Sequence, residues 1–212
     1  DKLWNGFKDS LLWTLHLKAM RLMSGGGEFV RAEETQRDLL RDEVRRLLPA
    51  GVGEEELQAH FAALPPRYFQ THSAKEVLDD LVVANEFMRL QVADETEDPL
   101  SPVVHWTDDA DRGCNSVKIC TWDRAGLFSK IAGCFSASGL NILSAEVFPR
   151  SDGIALDTFS VIDAHRGTMA GPEQRQRFQD LLHKTLTGDE PDLHSLIRRH
   201  KAARTLFDAY AG

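Results

Sequence analysis

Residues that could recognise a small zwitterion follow a predicted strand and open a predicted helix. Backbone amides at a helix start bind anions, and the helix dipole adds a partial positive charge there. Asp123 supplies a carboxylate for an ammonium group, Gly126 lets a ligand approach the backbone, and Asn141 supplies an amide. This set suits a free amino acid. The predicted ligand-binding residues are Asp123, Arg124, Ala125, Gly126, Leu127, Asn141 and Ile142.

The same residues also have a purely structural interpretation. Asp123 is a residue type that caps helix N-termini, and Gly126 suits a close packing contact. Because caps are far commoner than binding sites, the residues taken alone favour the structural interpretation.

Other candidate groups do not indicate catalysis or metal binding. The eight histidines are scattered, and the three cysteines (Cys114, Cys120 and Cys134) have no paired spacing, so no metal site or disulfide framework is predicted. No nucleophile elbow is recognisable. Asp152 reads as a turn residue, while Asp157 and Asp163 alternate on a strand and are expected to face solvent or bond a loop.

The elements around these residues predict most of a ferredoxin-like unit. Alternation up to Trp122 indicates a strand, helical spacing follows from Asp123, and Gly139 ends that helix. Further elements are a strand 140–148, an Asp152-Gly153 turn, a strand 154–162 and a helix from Pro172. The fold class is therefore α+β, with an antiparallel sheet and two helices on one face.

The expected fourth strand does not follow the last helix of the unit. Residues from Pro102 to Trp106 have strand character and can pair antiparallel with the strand that ends at Trp122. The prediction is a permuted ββαββα unit, and it fails if Val103 to Trp106 is irregular.

A helical N-terminal arm is predicted before this unit. Its inward residues are expected to include Leu40, Val44, Leu47 and Leu48 in one helix and Val77, Leu81, Ala84 and Met88 in another. The predicted segments are a helix 3–23, a hinge at Gly25 to Gly27, helices 31–48 and 54–63, an extended connector 64–69, and a helix 74–92 that Ser73 and Glu76 cap.

Composition sets limits on location and partners. The chain has 212 residues and a net charge of −8, a field of the wrong sign for a general nucleic-acid binder. No membrane-length apolar run or leader is visible, so a cytoplasmic location without membrane contact is expected. The chain begins at Asp1 without Met, which suggests a fragment. Predicted divisions are a helical segment 1–98, a domain 99–190 and a linker helix 191–212.

Three separated motifs resemble one protein family. The run from Asp123 to Phe128, followed by Asn141-Ile142 and by Asp152 to Phe159, resembles an ACT domain. More specifically, it is similar to the first of two ACT domains in bacterial PII uridylyltransferase/uridylyl-removing enzymes. The segments Leu3 to Lys8 and Leu64 to Phe69 resemble the helices that precede that domain.

The resemblance implies a regulatory role in nitrogen assimilation. In that family a nucleotidyltransferase domain uridylylates the PII signal protein, an HD domain removes the group, and the ACT pair senses glutamine. This chain would hold the sensing arm without either catalytic centre and without a cofactor of its own, while the parent would use Mg and UTP. The stretch from Asp123 to Leu127 and the strand at Asn141-Ile142 would form half of an effector site shared between two ACT modules. Ala125 stands where the family commonly has Pro.

Three functions stay open at this point. The first is an amino-acid-sensing fragment of that bifunctional enzyme, with L-glutamine or another amino acid as effector and a second ACT domain or a homodimer as partner. The second is an interdomain or dimerisation module that binds no ligand. The third, an ACT domain of another metabolic enzyme, is disfavoured by the segment from Leu3 to Phe69.

Overall fold

The chain divides into two compact units. A computed structural model provides the coordinates, and the units are Asp1–Leu81 and Val82–Gly212. The predicted boundary at 98/99 lies outside the described residues. Those residues are 12–17, 19–20, 27–92, 100–188, 191–193 and 195–198.

Helices make up the described part of the first unit. Residues 12–17 and 19–20 are helical, and the rest of the predicted helix 3–23 lies outside the described residues. The later helices are α1 (Gly27–Leu47), α2 (Glu54–Ala63), α3 (Pro66–Thr71) and the start of α4 (Ala74–Val92).

Two predictions for this unit were wrong. Gly27 belongs to α1, which therefore starts before the predicted Arg31, while Gly25 and Gly26 lie outside the described residues. The connector predicted as extended contains α3, because Pro66 at the first helical position already has the backbone angle that a helix needs.

Aromatic side chains organise the core of the first unit. The rings of Phe61 and Phe69 are stacked with centroids 4.4 Å apart. The Tyr68 hydroxyl donates to the buried Asp80 carboxylate over 2.6 Å, which satisfies both groups. Val44 is fully buried as predicted, whereas Leu47 is 49% exposed and its predicted inward position was wrong.

The predicted capping box at the start of α4 is confirmed. The Ser73 amide donates to the Glu76 carboxylate over 2.8 Å, and the Glu76 amide donates to the Ser73 hydroxyl over 3.4 Å. These reciprocal bonds satisfy two amides at a helix end that would otherwise lack partners. The helix then runs through Leu81 and ends in the second unit.

The second unit has the predicted ββαββα order and is a ferredoxin-like α+β domain. Its four strands form one antiparallel sheet with the order β1-β2-β4-β3. The elements are β1 (Val103–Asp109), β2 (Cys114–Trp122), α5 (Leu127–Ala137), β3 (Leu140–Val147), β4 (Ile154–Asp163) and α6 (Pro172–Thr187).

The first strand confirms the permutation. Val103 pairs with Cys120 and Asp109 pairs with Cys114, so β1 runs antiparallel to β2 at the sheet edge. The opposite edge is β3, where the register with β4 shifts between Ile142 and Ser144. This β-bulge leaves Leu143 56% exposed.

Helices α5 and α6 cover one face of the sheet, as predicted. Phe135 lies between Phe178, whose ring centroid is 4.0 Å away, and Phe159, at 5.2 Å. Cys134 is buried among these residues, and burial raises the pKa of its thiol despite a 3.4 Å contact with the Thr185 hydroxyl. It is therefore a small core residue rather than a reactive thiol.

The second half of α4 packs on the other face of the sheet, which the sequence pattern did not reveal. Phe87 is fully buried against a cluster that includes Cys120 and Leu156. Its ring lies 5.4 Å from the ring of Trp122, edge to face, and the Trp122 indole N–H donates to Gln91 over 3.2 Å. Met88, predicted to point inward, is 39% exposed because Phe87 takes the inward position.

Candidate functional site

A tight turn joins β2 to α5 and carries most of the predicted site residues. The Asp123 amide donates to the Gly153 carbonyl over 2.8 Å, and the Leu127 amide donates to the Arg124 carbonyl over 3.1 Å. Gly126 has φ +77° and is the N-cap of α5. The prediction that Asp123 is the N-cap was therefore wrong, because the chain makes this turn before the helix starts.

The turn determines which amides are available to a ligand. The Leu127 amide is already bonded within the turn, whereas the amides of Ala125 and Gly126 have no hydrogen-bond acceptor among the described residues. Nothing lies within 4 Å of a Cβ built on Gly126, so its left-handed backbone rather than crowding requires glycine.

The Arg124 side chain has a structural role. Its guanidinium donates to the Leu186 carbonyl over 2.8 Å, at the C-terminal end of α6. Carbonyls at a helix C-terminus have no partner within the helix, and a cation beside them also interacts favourably with the helix dipole. Arg124 thus ties the turn to α6.

Replacing Arg124 by glutamine is expected to lower the free energy of unfolding by about 1 kcal/mol, because one charge-assisted hydrogen bond is lost. Urea unfolding followed by circular dichroism measures the change. Arg112→Gln is the matched control, since the Arg112 side chain is 76% exposed beside Asp109 and should contribute little. Equal losses in both variants would contradict the role of Arg124.

Asn141 and Ile142 lie at the other end of the sheet from this turn. Trp122, just before Asp123, pairs with Ile154 at the start of β4, whereas Asn141 pairs with Ile162 near its end. Eight residues of an extended strand separate those positions, on the order of 25 Å. Within one copy of the chain, Asp123 and Asn141 therefore do not meet.

The structure instead brings Asp157 to the Asp123 end of the sheet. Asp157 is 4% exposed, so the expectation that it faces solvent or bonds a loop was wrong. Burial raises the pKa of Asp157 to about 6, and the negative charge of Asp123 adds to the shift. No hydrogen bond to the Asp157 carboxylate comes from any residue that the structure describes.

Thr121 is a second polar residue at this end that sequence reasoning missed. It is fully buried, and its hydroxyl has no hydrogen-bond partner within the described part of the chain. Thr121 pairs with Ala155 and Ile119 pairs with Asp157. Because side chains alternate along strands, Thr121 and Asp157 lie on the same face of the sheet as diagonal neighbours.

The remaining candidate carboxylates stabilise loops. The pKa of Asp163 is lowered because hydrogen bonds from the Arg166 and His165 amides outweigh the effect of burial. Burial also acts on Asp152, but two hydrogen bonds from the Arg150 guanidinium outweigh it and lower the pKa. Asp163 thus bonds a neighbouring loop as predicted, and Asp152 holds the β3–β4 turn.

Metal-ligand clusters and membrane-length apolar helices are both absent from the described residues. No group of three or more His, Cys, Asp or Glu side chains within the described ranges could hold a metal ion. None of the helices described has the length and apolar character needed to cross a membrane.

Comparison with known proteins gives one consistent result. The chain is 31% identical over 203 residues to the "Bifunctional uridylyltransferase/uridylyl-removing enzyme" of Azospirillum brasilense. The aligned region covers 92% of this chain and 20% of that relative. The enzyme of the same name from Rhodospirillum rubrum is 31% identical over 199 residues, with the same coverage of 92% and 20%. No protein-family model matches the chain. This chain is a homologous segment of the bifunctional uridylyltransferase/uridylyl-removing enzyme.

More distant relatives extend the same match. The Vibrio cholerae uridylyltransferase/uridylyl-removing enzyme is 26% identical over 183 residues, covering 86% of this chain. The chain spans about a fifth of the length of the curated relatives it matches.

Within the second unit, the structure defines one polar end of the sheet. Asp123, Thr121 and Asp157 share it, and the turn at Ala125 and Gly126 lies next to them. Asn141 lies at the opposite end. At this end Asp123 is exposed and Asp157 is buried. Two carboxylates in this arrangement are suited to binding a small cationic group.

Proposed function

We propose that this chain is the amino-acid-sensing regulatory segment of a bifunctional uridylyltransferase/uridylyl-removing enzyme, with L-glutamine as effector. In this proposal the second unit is an ACT domain and the first unit is the helical segment that precedes it. The observation that carries the proposal is the turn from Asp123 to Gly126, which presents an exposed carboxylate and two amides without acceptors in the described structure.

The groups of this turn match the two charged ends of an amino acid. The amides of Ala125 and Gly126 would receive the ligand carboxylate, and Asp123 would receive the ammonium group. The fixed Arg124–Leu186 contact holds the turn in this conformation before the ligand arrives. Arg124 and Leu127 therefore contribute through position rather than direct contact.

A complete site in this proposal uses two ACT modules. Asn141 and Ile142 are too far from Asp123 in one copy, but they lie on β3, an edge strand of the sheet. A second copy of this chain would bring its Asn141 beside Asp123, and a second ACT domain of the parent enzyme would bring its corresponding edge strand. The exposed apolar side chains Leu143 and Val147 lie on the same edge strand.

The same edge strand supports a second candidate function. An edge with unpaired backbone groups and exposed apolar residues is suited to pairing with another strand, whether or not a ligand binds. The alternative is therefore a dimerisation or interdomain module that binds no amino acid. It differs from the first candidate in one measurable respect, which is the effect of replacing Asp123.

The parent enzyme's chemistry is assigned to other parts of the polypeptide. Transfer of uridylyl groups from UTP with Mg, and their removal from the PII signal protein, are proposed for the regions that this chain does not cover. This segment would bias the balance between those reactions when its ligand binds, acting in the cytoplasm.

The test uses the full-length enzyme with PII as substrate. Glutamine is expected to shift the balance between uridylyl transfer and removal in the wild type, and Asp123→Ala is expected to abolish that shift. Asp180→Ala, which changes a carboxylate bonded to Gln176 on α6, is the control and should keep the full response. A normal glutamine response in Asp123→Ala would refute the proposed site and favour the ligand-free alternative.

A further inference from the structure

We propose that Asp157 and Thr121 form a recess beneath Asp123 that receives the ammonium group of the effector amino acid. The inference rests on the amino-acid-sensing function proposed above. It adds to the site two residues, Asp157 and Thr121, that are not among the ligand-binding residues predicted from the sequence.

The strand register places these residues together. Thr121 and Asp157 are diagonal neighbours on the α5 face of the sheet, about 7 Å apart at their backbones. Asp123 follows Thr121 by two residues, just beyond the end of β2. Ala155, directly opposite Thr121, has only a methyl group and therefore offers neither polar side chain a hydrogen-bond partner from its own side chain.

Neither the Asp157 carboxylate nor the Thr121 hydroxyl has, among the described residues, the polar partner that a buried group normally has. The carboxylate of a residue that is only 4% exposed should be paired with a cation or accept several hydrogen bonds, and among the described residues Asp157 has neither. The fully buried Thr121 hydroxyl is likewise without a partner in the described structure. Unsatisfied buried groups are costly and uncommon. An ammonium group, with three N–H donors and a positive charge, would satisfy both.

No lysine or arginine in the described part of the chain is paired with Asp157. The buried Arg150 guanidinium, on the β3–β4 turn, is bonded to Asp152. Lys130 on α5 acts on the thiol of Cys134, and the Arg124 guanidinium is bonded to the Leu186 carbonyl. On β3, Glu146 pairs with Thr158 and so lies on the opposite face from Asp157. The charge that acts on Asp157 is the negative charge of Asp123. A ligand cation would therefore replace repulsion with attraction.

Apolar surface next to the recess suits the rest of an amino acid. Val147 pairs with Asp157 across β3 and β4 and is 50% exposed. Phe128, in the first turn of α5, is also 50% exposed, and its ring centroid lies 6.0 Å from that of Phe159. These two side chains can cover the aliphatic carbons of the ligand while the carboxylates hold its amine.

A proton competes with the ligand for this recess. Because burial and Asp123 raise the pKa of Asp157 to about 6, the carboxylate is partly protonated in mildly acidic solution. A ligand ammonium binds only the ionised form, so the affinity should rise about tenfold per pH unit below pH 6 and level off above pH 7. This pH dependence distinguishes ligand contact from a purely structural role.

Isothermal titration of L-glutamine into the 212-residue chain, between pH 5 and 8, tests the inference. Asp157→Asn is expected to weaken binding at pH 7.5 at least tenfold and to abolish the pH dependence. Thr121→Val, which keeps the shape and removes the hydroxyl, should weaken binding severalfold. Glu146→Gln is the matched control, with wild-type affinity and pH dependence. The analogue 4-carbamoylbutanoate, which lacks the amine, should bind at least tenfold more weakly than glutamine.

The outcomes separate this inference from the function on which it rests. Wild-type binding that is unchanged in Asp157→Asn, with the same pH dependence, would overturn the recess and leave the sensing function standing. Equal binding of 4-carbamoylbutanoate and glutamine would also overturn it. If neither glutamine nor any other standard amino acid binds, at any pH, a wild-type chain that sedimentation equilibrium shows to be dimeric, both the sensing function and the recess are wrong.

Discussion

Asp157→Asn is expected to raise the free energy of unfolding at pH 8 by roughly 1–3 kcal/mol. A buried carboxylate is costly when ionised, and asparagine has the same shape without the charge. The folded-state pKa is about 6 against an ordinary value of 3.8. A shift of about two pKa units corresponds to at most about 3 kcal/mol. Urea unfolding of both proteins at pH 4 and pH 8 measures the difference.

The sign of the pH dependence follows from the raised pKa. Between about pH 4 and pH 6 the folded state binds more protons than the unfolded state, so Asp157 lowers stability progressively as the pH rises. The advantage of the variant should therefore be small at pH 4 and fully present above pH 6. Asp152→Asn is the opposite control, because the pKa of Asp152 is lowered and its ionised form is bonded to Arg150. A destabilised Asp157→Asn at pH 8 would contradict the account.

Phe87→Ala is expected to lower the free energy of unfolding by roughly 3–5 kcal/mol. The side chain is fully buried between α4 and the sheet, against Cys120, Leu156 and the ring of Trp122. Its removal deletes apolar burial, leaves a cavity and loses one aromatic contact. Denaturant unfolding followed by circular dichroism measures the loss.

Met88→Ala is the matched control for this substitution, one position along the same helix. Met88 is 39% exposed, so its truncation should cost less than about 1 kcal/mol. The sequence pattern predicted the reverse order, with Met88 inward. Equal costs for the two variants would show that α4 does not cover the sheet through Phe87.

The ferredoxin-like unit was predictable because its local signals agree with one another. Alternation defines β2 and β4, Gly139 has the left-handed backbone (φ +76°) expected after α5, and Gly153 reverses the chain with φ +77°. A ferredoxin-like unit has four strands, and the sequence after β1 supplies only three, so the fourth had to precede them. The pairing of Val103 with Cys120 confirms this edge strand.

The helical predictions failed where distant contacts decide the outcome. Near the end of α4, the helical spacing of the apolar residues allows either Phe87 or Met88 to face inward. The contact with the sheet determines that Phe87 is the buried residue. The start of α5 was misplaced because Asp123 is a typical cap residue, while the turn that ends at Gly126 depends on a backbone bond to Gly153 across the sheet.

The recess was missed although the sequence contained a signal for it. Asp157 alternates with Leu156 and shares its face with Ala155 and Phe159, so strict period-two alternation would have placed it inward. The usual exposure of carboxylates favoured the opposite interpretation. Thr121 carried the same signal, because it alternates in phase with Val117 and Ile119. Its lack of a hydrogen-bond partner in the described residues is visible only once the strands are paired.

The most direct test of the sensing function is titration of L-glutamine into this chain at pH 7.5, with sedimentation equilibrium to fix its oligomeric state. We expect saturable binding that is lost in Asp123→Ala, with the bound form a dimer because Asp123 and Asn141 meet only between modules. Glutamine binding that persists unchanged in Asp123→Ala would contradict the assigned site. Absence of binding by a chain that is already dimeric would contradict the sensing function itself.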